Sequence, residues 1–193
     1  MHGTTIVAVH KDGVSAIAGD GQVTLGDQIV KKGAVKVRPL NDGKIIAGFA
    51  GATADAFTLL EKFESYLSST KGNLLRAAVE TVKEWRTDRA LRNLEAMLIV
   101  ADEKQILVLS GAGDVVTPDD NVAVVGSGGA YAQAAAIALL RHTKMGAKDI
   151  AENALKIAAD IDIYTSGNIT TYTVGEPPVK EHKSGESPVG EKP

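Results

Sequence analysis

The chain has 193 residues, a net charge of −3 and no cysteine, so disulfides, thiolate catalysis and cysteine-based zinc sites are excluded. Its 44% apolar and 23% charged content fits a globular protein with one full-sized core, and the slight acidic excess argues against a nucleic-acid footprint. His2, His10, His142 and His182 lack metal-binding spacing. No apolar run approaches the roughly 20 residues that span a bilayer, and no signal-peptide pattern opens the chain, so a cytoplasmic protein with no membrane partner is expected.

In chain order, Thr4–His10 and Val14–Ala18 read as two strands joined at Lys11-Asp12-Gly13, because Asp-Gly between β-rich runs signals a hairpin. Val35–Arg38 and Lys44–Ala50 form a second pair around Asn41-Asp42-Gly43. The period then changes. Phe57, Leu60, Phe63 and Leu67 predict a helix over 54–68, with Thr53 as its N-cap. After Gly72-Asn73 a second helix is expected to bury Leu75, Ala78, Val79, Val82 and Trp85. Strands return at 97–101, 105–110 and 121–125, the last running into Gly126-Ser127-Gly128-Gly129. Helices follow at 130–142 and 147–161, the second with Ile150, Ala154, Ile157 and Ile161 on its apolar face. A final strand pair is expected at 163–165 and 169–174. Strands, helix pair, strands, helix pair, strands is not βαβ alternation. It predicts an α+β fold of antiparallel sheets with helices segregated in pairs. From Gly175 to Pro193 the composition turns to Pro, Lys, Glu, Ser and Gly, and reads as a disordered tail.

Several residues carry possible chemistry. Thr4 follows the small Gly3. A cut between them would give one residue both a hydroxyl and a free α-amine, whose pKa of about 7.7–8.0 suits a general base. Residues 1–3 would then be a leader. Asp20, in Gly19-Asp20-Gly21, is either a turn aspartate or the partner that orients Lys36. Lys36 alternates with Val35 and Val37, so it lies on the solvent side of a strand or points at the nucleophile, where an ammonium lowers the pKa of a neighbouring amine. Gly48 marks close strand packing or an oxyanion-hole N–H. Ser127 lies in a glycine-rich turn before a helix, which suits an anion or a polar partner for the N-terminal amine. That turn has neither the lysine of a P-loop nor a dinucleotide spacing.

Together these pieces resemble the HslV (ClpQ) family, peptidase subunits of a bacterial ATP-dependent, proteasome-like protease. The blocks that carry the resemblance are Thr4–Val9, Ala18–Thr24, Lys36-Val37-Arg38, Ile46–Gly51, Ala54–Leu59, Trp85–Arg89, Gly126–Gly129 and Ile163-Tyr164-Thr165. The resemblance implies an N-terminal-nucleophile hydrolase fold over residues 4–174, a four-layer α-β-β-α sandwich of two antiparallel sheets. It implies Thr4 as nucleophile after autocatalytic processing, Asp20, Lys36 and Ser127 around it, and Gly48 at the oxyanion hole. It implies two stacked hexameric rings (a dodecamer) capped by the HslU ATPase, which activates the peptidase allosterically, spends the ATP and feeds in unfolded protein substrates. It also implies a sodium ion held by backbone carbonyls of Ala159, Asp162 and Thr165. Relatives commonly have Gly and Cys at the first two of these positions, and Asp162 brings an additional carboxylate. Without the resemblance, an amidase of the same chemistry acting on small molecules, or a non-catalytic ring subunit, stays open.

Overall fold

The computed structural model describes residues 4–25, 28–51, 53–89, 91 and 96–175. The expected leader at 1–3 and all but the first residue of the expected tail lie outside the described residues, as does the side chain of Thr53, the expected N-cap.

The first strands, β1 (Thr5–Lys11) and β2 (Val14–Asp20), pair antiparallel with Ile6 opposite Gly19 and Lys11 opposite Val14. Asp12 and Gly13 between them both have positive φ, 52° and 75°, as a two-residue type I′ turn requires. A short hairpin follows, β3 (Val23–Leu25) and β4 (Gln28–Lys31). Next come β5 (Val37–Leu40) and β6 (Ile45–Gly51). Helices α1 (Thr53–Ser69) and α2 (Leu74–Thr87) precede β7 (Ala96–Ala101), β8 (Ile106–Ser110), β9 (Val115–Val116) and β10 (Val122–Gly126). Then α3 (Gly129–His142), α4 (Ala147–Ile161) and β11 (Ile169–Val174) complete the fold.

Two antiparallel sheets result, in the orders β10-β1-β2-β11 and β5-β6-β7-β8-β9, with the β3-β4 ribbon apart. Strand alternation explains the layering. Ile6, Ala8 and Ile17 point to one side and meet Val37, Ile46 and Ile99 of the other sheet. Val7, Val9, Ala16 and Ala18 point the other way and pack on Ala132, Ala136, Ala151, Ala154 and Leu155 of α3 and α4. Phe49, Leu98 and Leu107 cover α1 and α2 residues such as Leu60, Phe63 and Trp85. The layers run helices, sheet, sheet, helices. Because β1 is covered on both faces, its sequence is a continuous apolar run and not an apolar–polar alternation. Among the described residues no helix is long and apolar enough to cross a membrane.

The structure corrects three expectations and adds elements that were not foreseen. Residues 163–165 form a turn, and Ile163 is 78% exposed. The buried stripe of α2 is Leu74, Ala77, Ala78, Thr81, Val82 and Trp85, so Leu75 lies outside the core. The buried stripe of α4 is Ala147, Ile150, Ala151, Ala154, Leu155 and Ala158, which leaves Ile157 and Ile161 exposed. In both helices small residues set the phase, because they let the helix approach the sheet. The β3-β4 ribbon and β9 were not expected. They are too short, and β4 too exposed, to show a period.

Helix α1 ends on Lys71 and Gly72, both at positive φ, with the Gly72 N–H bonded to Leu67 O at 2.8 Å. The next residue, Asn73, caps α2 by accepting the Arg76 N–H at 3.0 Å. We expect Asn73→Ala to cost about 1 kcal/mol, read as a fall of roughly 3 °C in thermal melting with activity unchanged.

Candidate active site

One end of the four-stranded sheet gathers most of the candidate residues. Thr4 immediately precedes β1, and its carbonyl accepts the Ser127 N–H at 3.2 Å. The antiparallel registers of β1 with β2 and β10 bring Thr4 beside the ends of both neighbours, next to Asp20 on one side and Gly126-Ser127 on the other. Gly126 has φ +105°, and a Cβ there would lie 1.6 Å from Thr4 O. Only glycine lets β10 close on Thr4.

Asp20 is fully buried at the end of β2, and its carboxylate is satisfied from several directions. Oδ1 accepts the Thr5 N–H at 2.8 Å and the Lys36 ammonium at 3.3 Å. Oδ2 accepts the N–H groups of Gln22 at 2.9 Å and Ser166 at 3.2 Å. Lys36, 6% exposed, also donates to Gln22 O. The solvent-side reading of Lys36 therefore fails. It lies just before β5 with its head turned inward to Asp20. Burial lowers the Lys36 pKa below the ordinary lysine value of 10.5, and the Asp20 charge opposes that shift without cancelling it.

A second polar cluster faces the first. Asp162 caps the C-terminus of α4, and its Oδ2 accepts Ser127 Oγ–H at 2.7 Å and Thr165 Oγ1–H at 2.6 Å. Oδ1 accepts the Tyr164 N–H at 3.3 Å. Thr165 Oγ1 lies 2.7 Å from Thr5 Oγ1, which in turn accepts the Gly128 N–H at 2.9 Å. These partners fix the proton directions. Thr165 spends its proton on the carboxylate, so Thr5 donates to Thr165. Ser127 likewise spends its proton on Asp162, which leaves the Ser127 oxygen as an acceptor. A Cβ on Gly128 would lie 2.7 Å from Thr165 Oγ1 and 2.8 Å from Thr5 Oγ1, so the second glycine of the turn is required by this cluster. The turn thus serves close packing and polar contacts.

Gly48 is interior to β6, opposite Val37 and Ile99. A Cβ there would lie 2.8 Å from Ile6 Cγ2 and 2.9 Å from Ile17 Cγ2, so the close-packing role is evident where the two sheets meet.

Among the described residues no three His, Asp or Glu gather as a metal centre. The carbonyls of Ala159, Asp162 and Thr165 are a different kind of site. They belong to the last turn of α4 and the turn after it, the partly negative end of a helix, which suits a small cation. Asp162 O already accepts the Thr165 N–H at 3.0 Å, which leaves one of its two lone pairs for an ion. The Asp162 carboxylate is turned to hydroxyls instead. Neutral carbonyl oxygens at a helix C-terminus are the donor chemistry that suits a monovalent cation.

Three participants escaped sequence reading. Thr5 and Gln22 are buried polar residues beside recognised ones, and the Asp162 side chain was weighed only against a cation. Asp162-x-x-Thr165 just past a helix is the pattern from which such a capped turn can be read.

Comparisons with known proteins identify the family and the fold. The family described as proteasome subunit matches residues 1–174. The ATP-dependent protease subunit HslV of Desulfovibrio desulfuricans is 60% identical over 174 residues, covering 90% of this chain and 98% of that protein. Its counterpart from Treponema denticola is 56% identical over 174 residues, with the same coverage. Among solved structures, the eukaryotic HslV from Trypanosoma brucei has a TM-score of 0.84 at 44% identity, covering 89% of this chain and 99% of that one. Thiobacillus denitrificans BPH shares the fold, with a TM-score of 0.66 at 19% identity, covering 89% of this chain and 97% of that one.

Proposed function

This chain belongs to the proteasome-subunit family, in its HslV branch, and on that premise we propose that it is an N-terminal threonine peptidase, the proteolytic subunit of an ATP-dependent protein-degradation complex. The observation that supports it most is the position of Thr4 at the end of β1, beside the buried Asp20–Lys36 pair and the Ser127–Asp162 pair.

In the mature chain, cut before Thr4, the α-amine takes the proton from Thr4 Oγ as the oxygen attacks a peptide carbonyl. The C–N bond breaks as the amine returns that proton to the leaving nitrogen, and an ester to Thr4 remains. Water, deprotonated by the same amine, attacks the ester and releases the acid, and Thr4 Oγ regains a proton. Lys36 stabilises the alkoxide and favours the unprotonated amine. Asp20 fixes Lys36. Ser127, its own proton committed to Asp162, accepts from the Thr4 amine. Gly48 keeps β6 close against β1 and β2, in a position where a side chain is excluded. Sodium, held by the carbonyls of Ala159, Asp162 and Thr165, would supply a fixed positive charge to that turn.

The chain is proposed to assemble as a double ring of hexamers in the cytoplasm. HslU hexamers would cap the rings, hydrolyse the ATP and thread unfolded proteins to the sites. Ile157 and Ile161, one helical turn apart and both exposed, support burial of this helix face against another copy. The test is intact-mass measurement of the purified protein, paired with hydrolysis of a fluorogenic peptide with and without HslU and ATP. The expected result is a chain beginning at Thr4, with activity that rises at least about tenfold in the presence of HslU and ATP. Fully active material that still carries Met1-His2-Gly3 overturns the reading.

A further inference from the structure

Gln22 is a polar side chain only 3% exposed, on the short segment between β2 and β3. A buried amide is costly unless it is hydrogen-bonded. Its Nε2 donates to Thr24 Oγ1 and to Ile163 O, each at 3.1 Å, so both protons are used. The second bond crosses from this segment to the turn after α4, the turn whose Asp162 holds Ser127 and whose Thr165 meets Thr5. The backbone of the same residue serves the other half of the site. Its N–H donates to Asp20 Oδ2 at 2.9 Å, and its carbonyl accepts the Lys36 ammonium. One residue therefore touches both members of the ion pair and ties them to the serine cluster.

We propose that Gln22 is a positioning residue: its side chain anchors its own carbonyl against the 162–165 turn, and that carbonyl with Asp20 aims the Lys36 ammonium at Thr4. The inference rests on the peptidase reading above. Without the anchor the carbonyl drifts, and Lys36 keeps its charge but loses its aim. The loss falls on the transition state, where the alkoxide develops, and not on ground-state substrate binding.

The test compares Gln22→Met, similar in length but without donors, with wild type and Lys11→Met in the HslU-activated complex. Lys11 is a stability control, because its ammonium binds the Thr143 and Met145 carbonyls at the far end of β1. In Gln22→Met, kcat is expected to fall about tenfold with KM within about twofold, and covalent labelling of Thr4 by a threonine-directed electrophile to slow by a similar factor. Lys11→Met is expected to melt earlier with kcat unchanged. If Gln22→Met does not assemble, Thr24→Val removes one of the two anchors and should lower kcat about threefold at constant KM. An active wild type with unchanged kcat in the variant measured overturns the inference alone, as does a kcat loss matched by Lys11→Met at equal loss of melting temperature. A wild type with no hydrolysis overturns the peptidase reading and this inference together.

Discussion

Thr4→Ala is expected to lower peptide hydrolysis by at least ~10⁴-fold, because it deletes the attacking atom and leaves only binding and electrostatics. It should also block its own maturation, so the purified variant is expected to keep the mass of Met1-His2-Gly3. The fold should survive, since the Thr4 backbone carbonyl makes the bond to Ser127 N–H. Melting within a few degrees of wild type would separate chemistry from folding. Thr4→Ser, which keeps a hydroxyl and an α-amine, should retain processing and part of the rate. Full activity in Thr4→Ala would falsify the assignment of the nucleophile.

Lys36→Met is expected to damage both stability and rate. It strands the Asp20 carboxylate without a cation in a fully buried position, where breaking an ion pair costs about 3–5 kcal/mol. The three backbone N–H groups that remain on Asp20 place the expected loss near the lower end, about 3 kcal/mol. On the proposed mechanism, removing the charge that stabilises the developing alkoxide should cost a further ~10³-fold in kcat. The pH dependence carries a distinct sign. Burial lowers the folded-state pKa of Lys36 below 10.5. Between that lowered value and 10.5 the unfolded chain holds a proton that the folded chain has released, so this group's contribution to stability rises with pH across the window. Catalysis runs the other way, because the rate needs the ammonium and should fall on the basic side before ordinary lysines titrate. Denaturant melts and kcat measured from neutral pH to pH 10.5 check both slopes, and neither Lys36 contribution should be present in Lys36→Met.

The sequence made some of this legible because the relevant physics is local. The hairpin at Asp12-Gly13 and the helix stop at Gly72 depend on positive φ at positions that advertise it. Thr4 and Asp20 lie at corresponding ends of paired strands, so a hairpin reading already brings them together. Lys36 was harder, since alternation alone puts it in water. Its burial follows from Asp20 and Gln22 O, which lie on other segments. Asp162 was beyond local reasoning for the same cause. It meets Ser127 across 35 positions of chain, a distance closed by tertiary packing such as that of α3 beside α4. The α4 stripe misled because bulky Ile157 and Ile161 outweigh Ala151 and Ala158 in any hydrophobic count, whereas close approach to a sheet favours alanine.

The pairing of β11 with β2 has a practical consequence. Ile169 pairs with Asp20 beside the site, but Val174 pairs with Ser15, five residues further along. At about 3.3 Å per residue, β11 ends roughly 17 Å from the catalytic end. An affinity handle or fluorescent reporter fused after Gly175 is therefore attached at the end of the strand far from Thr4 and should leave turnover intact. On the proposed mechanism, the same handle fused before Thr4 would be lost on maturation or, if retained, would cap the amine proposed as the base.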